Sequence, residues 1–113
     1  MRIAVANMLY KFGIPANVKG YRYLACAIEL VQNDASLAKC MTTYVYPAIA
    51  ESFGATKSSV ERDIRYAVEL AFVNTPPEVI KETFGASIPP HKNKATNAQF
   101  IATLAEHLSR VAK

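Results

Sequence analysis

Residues 46–65, YPAIAESFGATKSSVERDIR, constrain the fold more than any other part of the chain. An apolar, alanine-containing helical run, with Ile49, Ala50 and Phe53, reaches Gly54. Three polar residues follow at Thr56, Lys57 and Ser58, and a second run opens with Val60 and Ile64 at helical spacing. Ala50 is small where two helices cross closely, and Gly54, four residues on, can take the positive φ that a tight interhelical turn needs. Val60 stands six residues past the glycine, where the second helix must bury a side chain against the first. The spacing predicts a helix-turn-helix whose second helix covers about residues 57–73.

At about 100° per residue, Val60, Ile64, Ala67 and Ala71 form one stripe of that second helix, and Ser58, Arg62, Arg65 and Glu69 cluster on the opposite side. The outward face begins polar and turns basic. A helix lying in the major groove sets its N-terminal residues against base edges, and two arginines in its first turns suit guanine readout. The competing reading is a solvated face whose charges do nothing specific. Thr56 and Ser58 are alternative N-caps, and Ser58 to Glu61 has the spacing of a capping box. Glu61 therefore has two candidate roles: to reach back to a backbone amide, or to accept from cytosine N4 in the groove.

The rest of the chain fits a helical domain around this motif. Its 113 residues suffice for one hydrophobic core without disulfide or metal staples. Half of them are apolar, only four are glycine, and no strand-like alternation occurs, so the chain reads as all-α with about six helices in a single domain over residues 1–113. A first helix ends at Gly13, and after Pro15 a second covers residues 19–32, with Tyr21, Leu24, Ile28 and Val31 on one face. A third runs over about 35–53, where Pro47 either kinks it or opens a new segment. Beyond the recognition helix, Asn74, Thr75, Pro76 and Pro77 stop the chain. A short fifth helix then ends at Phe84 before Gly85. Residues 87–95, SIPPHKNKA, form a basic loop, and Thr96 caps a last helix with Phe100, Ile101, Leu104 and Leu108 on one face.

A net charge of +4 and a pI near 9.2 permit nucleic-acid binding without demanding it. Cys26 and Cys40 lack metal-binding spacing and are expected as buried thiols inside helices, in a reducing cytosol. His91 and His107 stand apart from acidic ligands, so neither a metal nor a cofactor is expected. MRIAVANML is too short, and too quickly followed by Tyr10 and Lys11, to be a signal peptide. No charge-free run is longer than the one between Lys39 and Glu51, which is too short to cross a bilayer, and the chain is expected to be soluble and cytoplasmic. No nucleotide loop, nucleophile elbow or Cys/His pair at catalytic spacing occurs, which argues against an enzyme.

VERDIR with its flanking GATKSS, the upstream GIPANVKGYRYL and the downstream KNKATNAQF together resemble the DNA-binding effector domain of the stage-zero sporulation protein A response regulators. The likeness runs from about Ala6 to about Leu108. It implies a bacterial transcription regulator of sporulation or a related developmental response, whose recognition helix reads boxes with a TGTCGAA-like core. Glu61, Arg62 and Arg65 match the family's reading residues. The chain departs from the family pattern at Ser59, where an arginine is usual, and at Tyr66, where a histidine is usual, which leaves the exact target open. Lys92 and Lys94 match basic residues of the family's loop before the last helix. The receiver domain that precedes this effector in the family is absent from these residues, so the chain is either an excised C-terminal piece or a natural receiverless relative.

Base contacts are therefore expected from Ser58, Ser59, Glu61, Arg62 and Arg65, and phosphate contacts from Thr56, Lys57, Tyr66, Lys92, Lys94 and Lys19. Lys19 and Arg22 open the second helix, where exposed amides and a basic side chain suit a phosphate; two solvated bases are the plainer reading. The partner is double-stranded DNA, bound on tandem sites as a dimer or alone. The family likeness adds RNA polymerase or a sigma factor, touching residues 78–88. The alternative is a docking module for polymerase or sigma factor that keeps the helix-turn-helix shape without binding DNA.

Overall fold

Glycines at positive φ and helix-opening prolines divide the chain into helices where the apolar pattern breaks. The computed structural model describes residues 2–85 and 94–111. Among these, six α-helices occur: α1 (Ile3–Lys11), α2 (Lys19–Asn33), α3 (Tyr46–Phe53), α4 (Lys57–Asn74), α5 (Pro77–Phe84) and α6 (Asn97–Val111). No strand is present among them. No helix among them is long and apolar enough to cross a membrane. The expected basic loop lies outside the described residues through position 93, and Lys92, His91 and Ile88 with it.

The expected third helix is not continuous. A 3-10 turn, Ala35–Lys39, and a single π turn, Met41–Val45, precede α3. Asp34 explains the first break, because its carboxylate accepts from both the backbone N–H (3.1 Å) and the hydroxyl (2.6 Å) of Ser36 and so competes with α-helical bonding. Pro47 explains where α3 begins. It has no N–H to donate, and it occupies the first turn, where none is needed. Cys40 consequently lies in the junction between the two turns and not inside a helix, and both free cysteines are half-buried where fully buried thiols were expected.

The core is built from three apolar stripes. Val60, Ile64, Ala67, Val68 and Ala71 of α4 are buried, as are Leu24, Ala25, Ala27, Ile28 and Val31 of α2 and Phe100, Ile101, Leu104, Ala105 and Leu108 of α6. α2 packs against both α4 and α6. Each large side chain so buried contributes about 1.5–3 kcal/mol. Phe12, Phe72, Phe84 and Phe100 close one end of this core, their ring centroids 5.5–6.1 Å apart and mostly edge to face. The chain after α1 is tied to the end of α4 twice: the Thr75 hydroxyl donates to the Phe12 carbonyl and the Asn74 side-chain amide to that of Gly13, both at 2.9 Å. Thr75 is buried, and this bond satisfies a hydroxyl that would otherwise be costly there.

Two contacts set the angle at which α4 is held. Gly20, in the first turn of α2, lies so close to α4 that a Cβ on it would stand 2.0 Å from the Asp63 carbonyl oxygen and 3.1 Å from Ala67 Cβ. Only a residue without a side chain lets these two backbones touch. Two residues back along α4, the side-chain amide of Asn97, the first residue of α6, donates to the Glu61 carbonyl and also to the Tyr46 hydroxyl, both at 3.2 Å. The start of α3, the second turn of α4 and the start of α6 are joined through that one amide.

Candidate nucleic-acid interface

The turn between α3 and α4 has the conformation its glycine predicts. Gly54 adopts φ 63° and ψ 36°, and the Ala55 N–H closes back on the Ala50 carbonyl at 2.9 Å, the acceptor that the Gly54 N–H also uses. Phe53, the last residue of α3, does not join the core with Ile49 and Ala50. It stays partly exposed, with the Tyr23 ring edge-on at 5.2 Å and the Arg22 guanidinium over its face at 5.3 Å. Arg22 is thereby stacked beside the turn by a cation–π contact.

Thr56, not Ser58, caps α4. Its hydroxyl accepts from the Ser59 N–H at 3.1 Å, and the Ser59 hydroxyl accepts from the Thr56 N–H at 3.3 Å and donates to the Thr56 carbonyl at 2.9 Å. Serine replaces the usual glutamate as the third residue of this box, so the expected box between Ser58 and Glu61 does not form. Ser58 is left exposed, and the Ser59 hydroxyl is occupied. The Glu61 carboxylate instead takes one nitrogen of Arg65 at 2.8 Å, one turn further along the helix.

The expected reading face is turned to solvent. The Arg62 side chain is 65% exposed and that of Arg65 52%, both opposite the fully buried Val60 and Ile64. Lys57 and Tyr66 flank them and are exposed as well. Arg62 Nε stands 3.5 Å from the Asp63 carboxylate, an exposed pair of the kind worth about 0–1 kcal/mol and easily exchanged for another partner. Lys19 is exposed one residue from the Gly20 crossing, so the first turn of α2 sits beside α4. Its N-cap, Val18, offers no side-chain acceptor to the first amides. Lys94, ahead of α6, reaches back to Glu69 at 3.4 Å.

Glu61, Arg65, Glu69, Lys94 and Asn97 line one cleft along the flank of α4, floored by Met41, Val68, Ala95 and Ala98. Tyr46 lies in the same cleft. Burial is the main reason its phenol titrates above the usual value; the Asn97 hydrogen bond opposes that shift, Glu61 adds to it and Arg65 lowers it. Cys26 likewise titrates high, chiefly through burial and then through nearby Glu29.

The family model described as sporulation initiation factor Spo0A C terminal matches residues 5–108 of the 113. The chain belongs to that family. The Spo0A C-terminal family is one of DNA-binding effector domains of sporulation response regulators. The helix-turn-helix expected from the spacing corresponds to α3, the Gly54 turn and α4. Gly20 and Asn97, the residues that hold α4, were not singled out from the sequence as contacts. A signal existed for Gly20, since a glycine inside a helix costs about 1 kcal/mol and marks a close backbone approach. Nothing local marks Asn97, whose partners lie 51 and 36 residues away.

Proposed function

We propose that the chain binds double-stranded DNA sequence-specifically, as a bacterial transcription regulator of the sporulation type, with α4 in the major groove. The observation that carries this reading is the pair of exposed arginines, Arg62 and Arg65, on the face of α4 opposite its buried stripe. Arginine's planar fork matches guanine O6 and N7 with two donors. Ser58 and Glu61 complete the base-reading set, and Ser59, expected there too, is assigned to the cap instead. Thr56 keeps its hydroxyl proton for a phosphate, because in the cap that oxygen only accepts. Lys57 and Tyr66 flank the groove, Lys19 with the open amides of α2 holds the backbone on one side, and Lys94 holds it on the other; Lys92, outside the described residues, is proposed as a further phosphate ligand.

A docking module that bound polymerase or sigma factor without DNA is expected to bury or neutralise these arginines; each has a carboxylate nearby, Glu61 at 2.8 Å from Arg65 and Asp63 at 3.5 Å from Arg62, but both side chains stay more than half exposed, and that exposure favours the DNA reading. Contact with polymerase or a sigma factor is proposed in addition, through the exposed Glu78, Lys81 and Glu82 of α5. Dimerisation is proposed only on tandem DNA sites. Selection of bound sequences from a random duplex pool tests the function directly. Enrichment of a G·C-containing core supports it, and recovery of the unenriched pool overturns it.

A further inference from the structure

Glu61, Arg65 and Glu69 follow one another at four-residue spacing along one edge of α4, and Lys94 closes the row from the segment ahead of α6. The signs alternate: Glu61 pairs with Arg65 at 2.8 Å and Glu69 with Lys94 at 3.4 Å, and all four line the same cleft. Both partners of the Glu69–Lys94 pair are about half exposed, at 46% and 50%. A polyanion approaching this flank therefore meets a lysine whose nearest anion belongs to the protein.

We infer that Glu69 is a resident competitor for DNA phosphate at Lys94, which weakens sequence-independent binding by this domain. The inference rests on the DNA-binding reading above and adds to it a residue that acts against affinity. While Lys94 stays on Glu69 it neutralises no phosphate and releases no counterion from the duplex. To transfer to a phosphate it must first give up its pair with Glu69. Either way the carboxylate reduces what Lys94 contributes. The effect acts on phosphates alone, so it lowers affinity for every duplex alike and leaves base preference untouched.

The test is a thermodynamic cycle on the full 113-residue chain with Glu69→Gln, Lys94→Ala and the double variant, each titrated with a random-sequence duplex and with the best selected duplex over a range of salt. Glutamine keeps the length and helix propensity of glutamate, and helical circular dichroism checks that each variant is folded. Glu69→Gln is expected to bind both duplexes about two- to fivefold more tightly, the range that releasing an exposed pair allows. Its log affinity against log salt should also steepen, by up to about 0.9, one phosphate's worth. In the Lys94→Ala background the same substitution should do little. Unchanged affinity on Glu69→Gln, or a gain that persists in full without Lys94, would overturn the inference, the second outcome meaning that only net charge matters. If the parent chain binds neither duplex, the DNA-binding reading itself falls; if it binds and the cycle shows no coupling, only the role of Glu69 does.

Discussion

Arg62 and Arg65 differ in what surrounds them, although both lie on the solvent side of the same helix. Arg65 is held through one nitrogen by Glu61, whereas among the described residues the adjacent Asp63 is the one carboxylate within 4 Å of Arg62. Arg62→Ala or Arg65→Ala should each cost about 1–3 kcal/mol on the best duplex and much less on random DNA, as loss of a base contact requires. Parallel titrations of the two duplexes check this. Equal losses on both would assign the arginines to phosphates. Tyr46 carries a residue-scale prediction of another kind. Its folded phenol and the Cys26 thiol titrate above their ordinary values of 10.0 and 9.0, so the folded chain keeps these protons longer than the unfolded one. Stability from both groups is fully present below pH 9 and is lost as pH rises through the folded values. Melting temperature should fall as pH rises above 9, and Tyr46→Phe should shallow that fall.

The angle of α4 is decided where elements meet. Gly20 allows α2 to touch the α4 backbone at Asp63, and an added methyl has no space there because its nearest neighbour is a carbonyl oxygen and not a movable side chain. Gly20→Ala should therefore destabilise the fold by about 1–3 kcal/mol, the usual cost of overpacking, read as a lower urea midpoint. DNA affinity should fall with it, because the displaced element is the one proposed to enter the groove. Gly54 makes the opposite case. A Cβ there would meet nothing within 4 Å, yet its φ of 63° disfavours any residue with a side chain. Gly54→Ala should cost about 1 kcal/mol through backbone strain alone.

At the scale of the whole molecule, the proposed phosphate ligands come from three separate segments: the first turn of α2, the start of α4 and the chain ahead of α6. Their combined effect is a salt dependence, with each phosphate neutralised adding about 0.9 to the magnitude of the slope of log affinity against log salt. Lys94→Ala or Lys92→Ala should flatten that slope while weakening all sequences about equally. An affinity that does not change with salt would remove the phosphate assignments. The formal charge of +4 is too small to account for strong binding by net attraction, so the placement of these lysines matters more than their number.

The sequence by itself determined the helices, the Gly54 turn and the polarity of α4, because each depends on neighbours within a turn or two. The period of Val60, Ile64, Ala67 and Ala71 selects the buried side whatever they pack against, and a glycine is the residue that takes a left-handed φ most readily. Local competition was harder to read. The cap went to Thr56 and Ser59 over Ser58 and Glu61, and the helix expected before Pro47 broke into a 3-10 and a π turn, because alternatives of similar energy differ there by single hydrogen bonds. Only the tertiary structure decided that Phe53 stays at the surface under Arg22, that Gly20 is the crossing point on α4, that Asn97 joins three helices and that Glu69 faces Lys94. These contacts join residues 25 to 51 positions apart, and no spacing rule along the chain encodes a meeting that exists only once the core has packed.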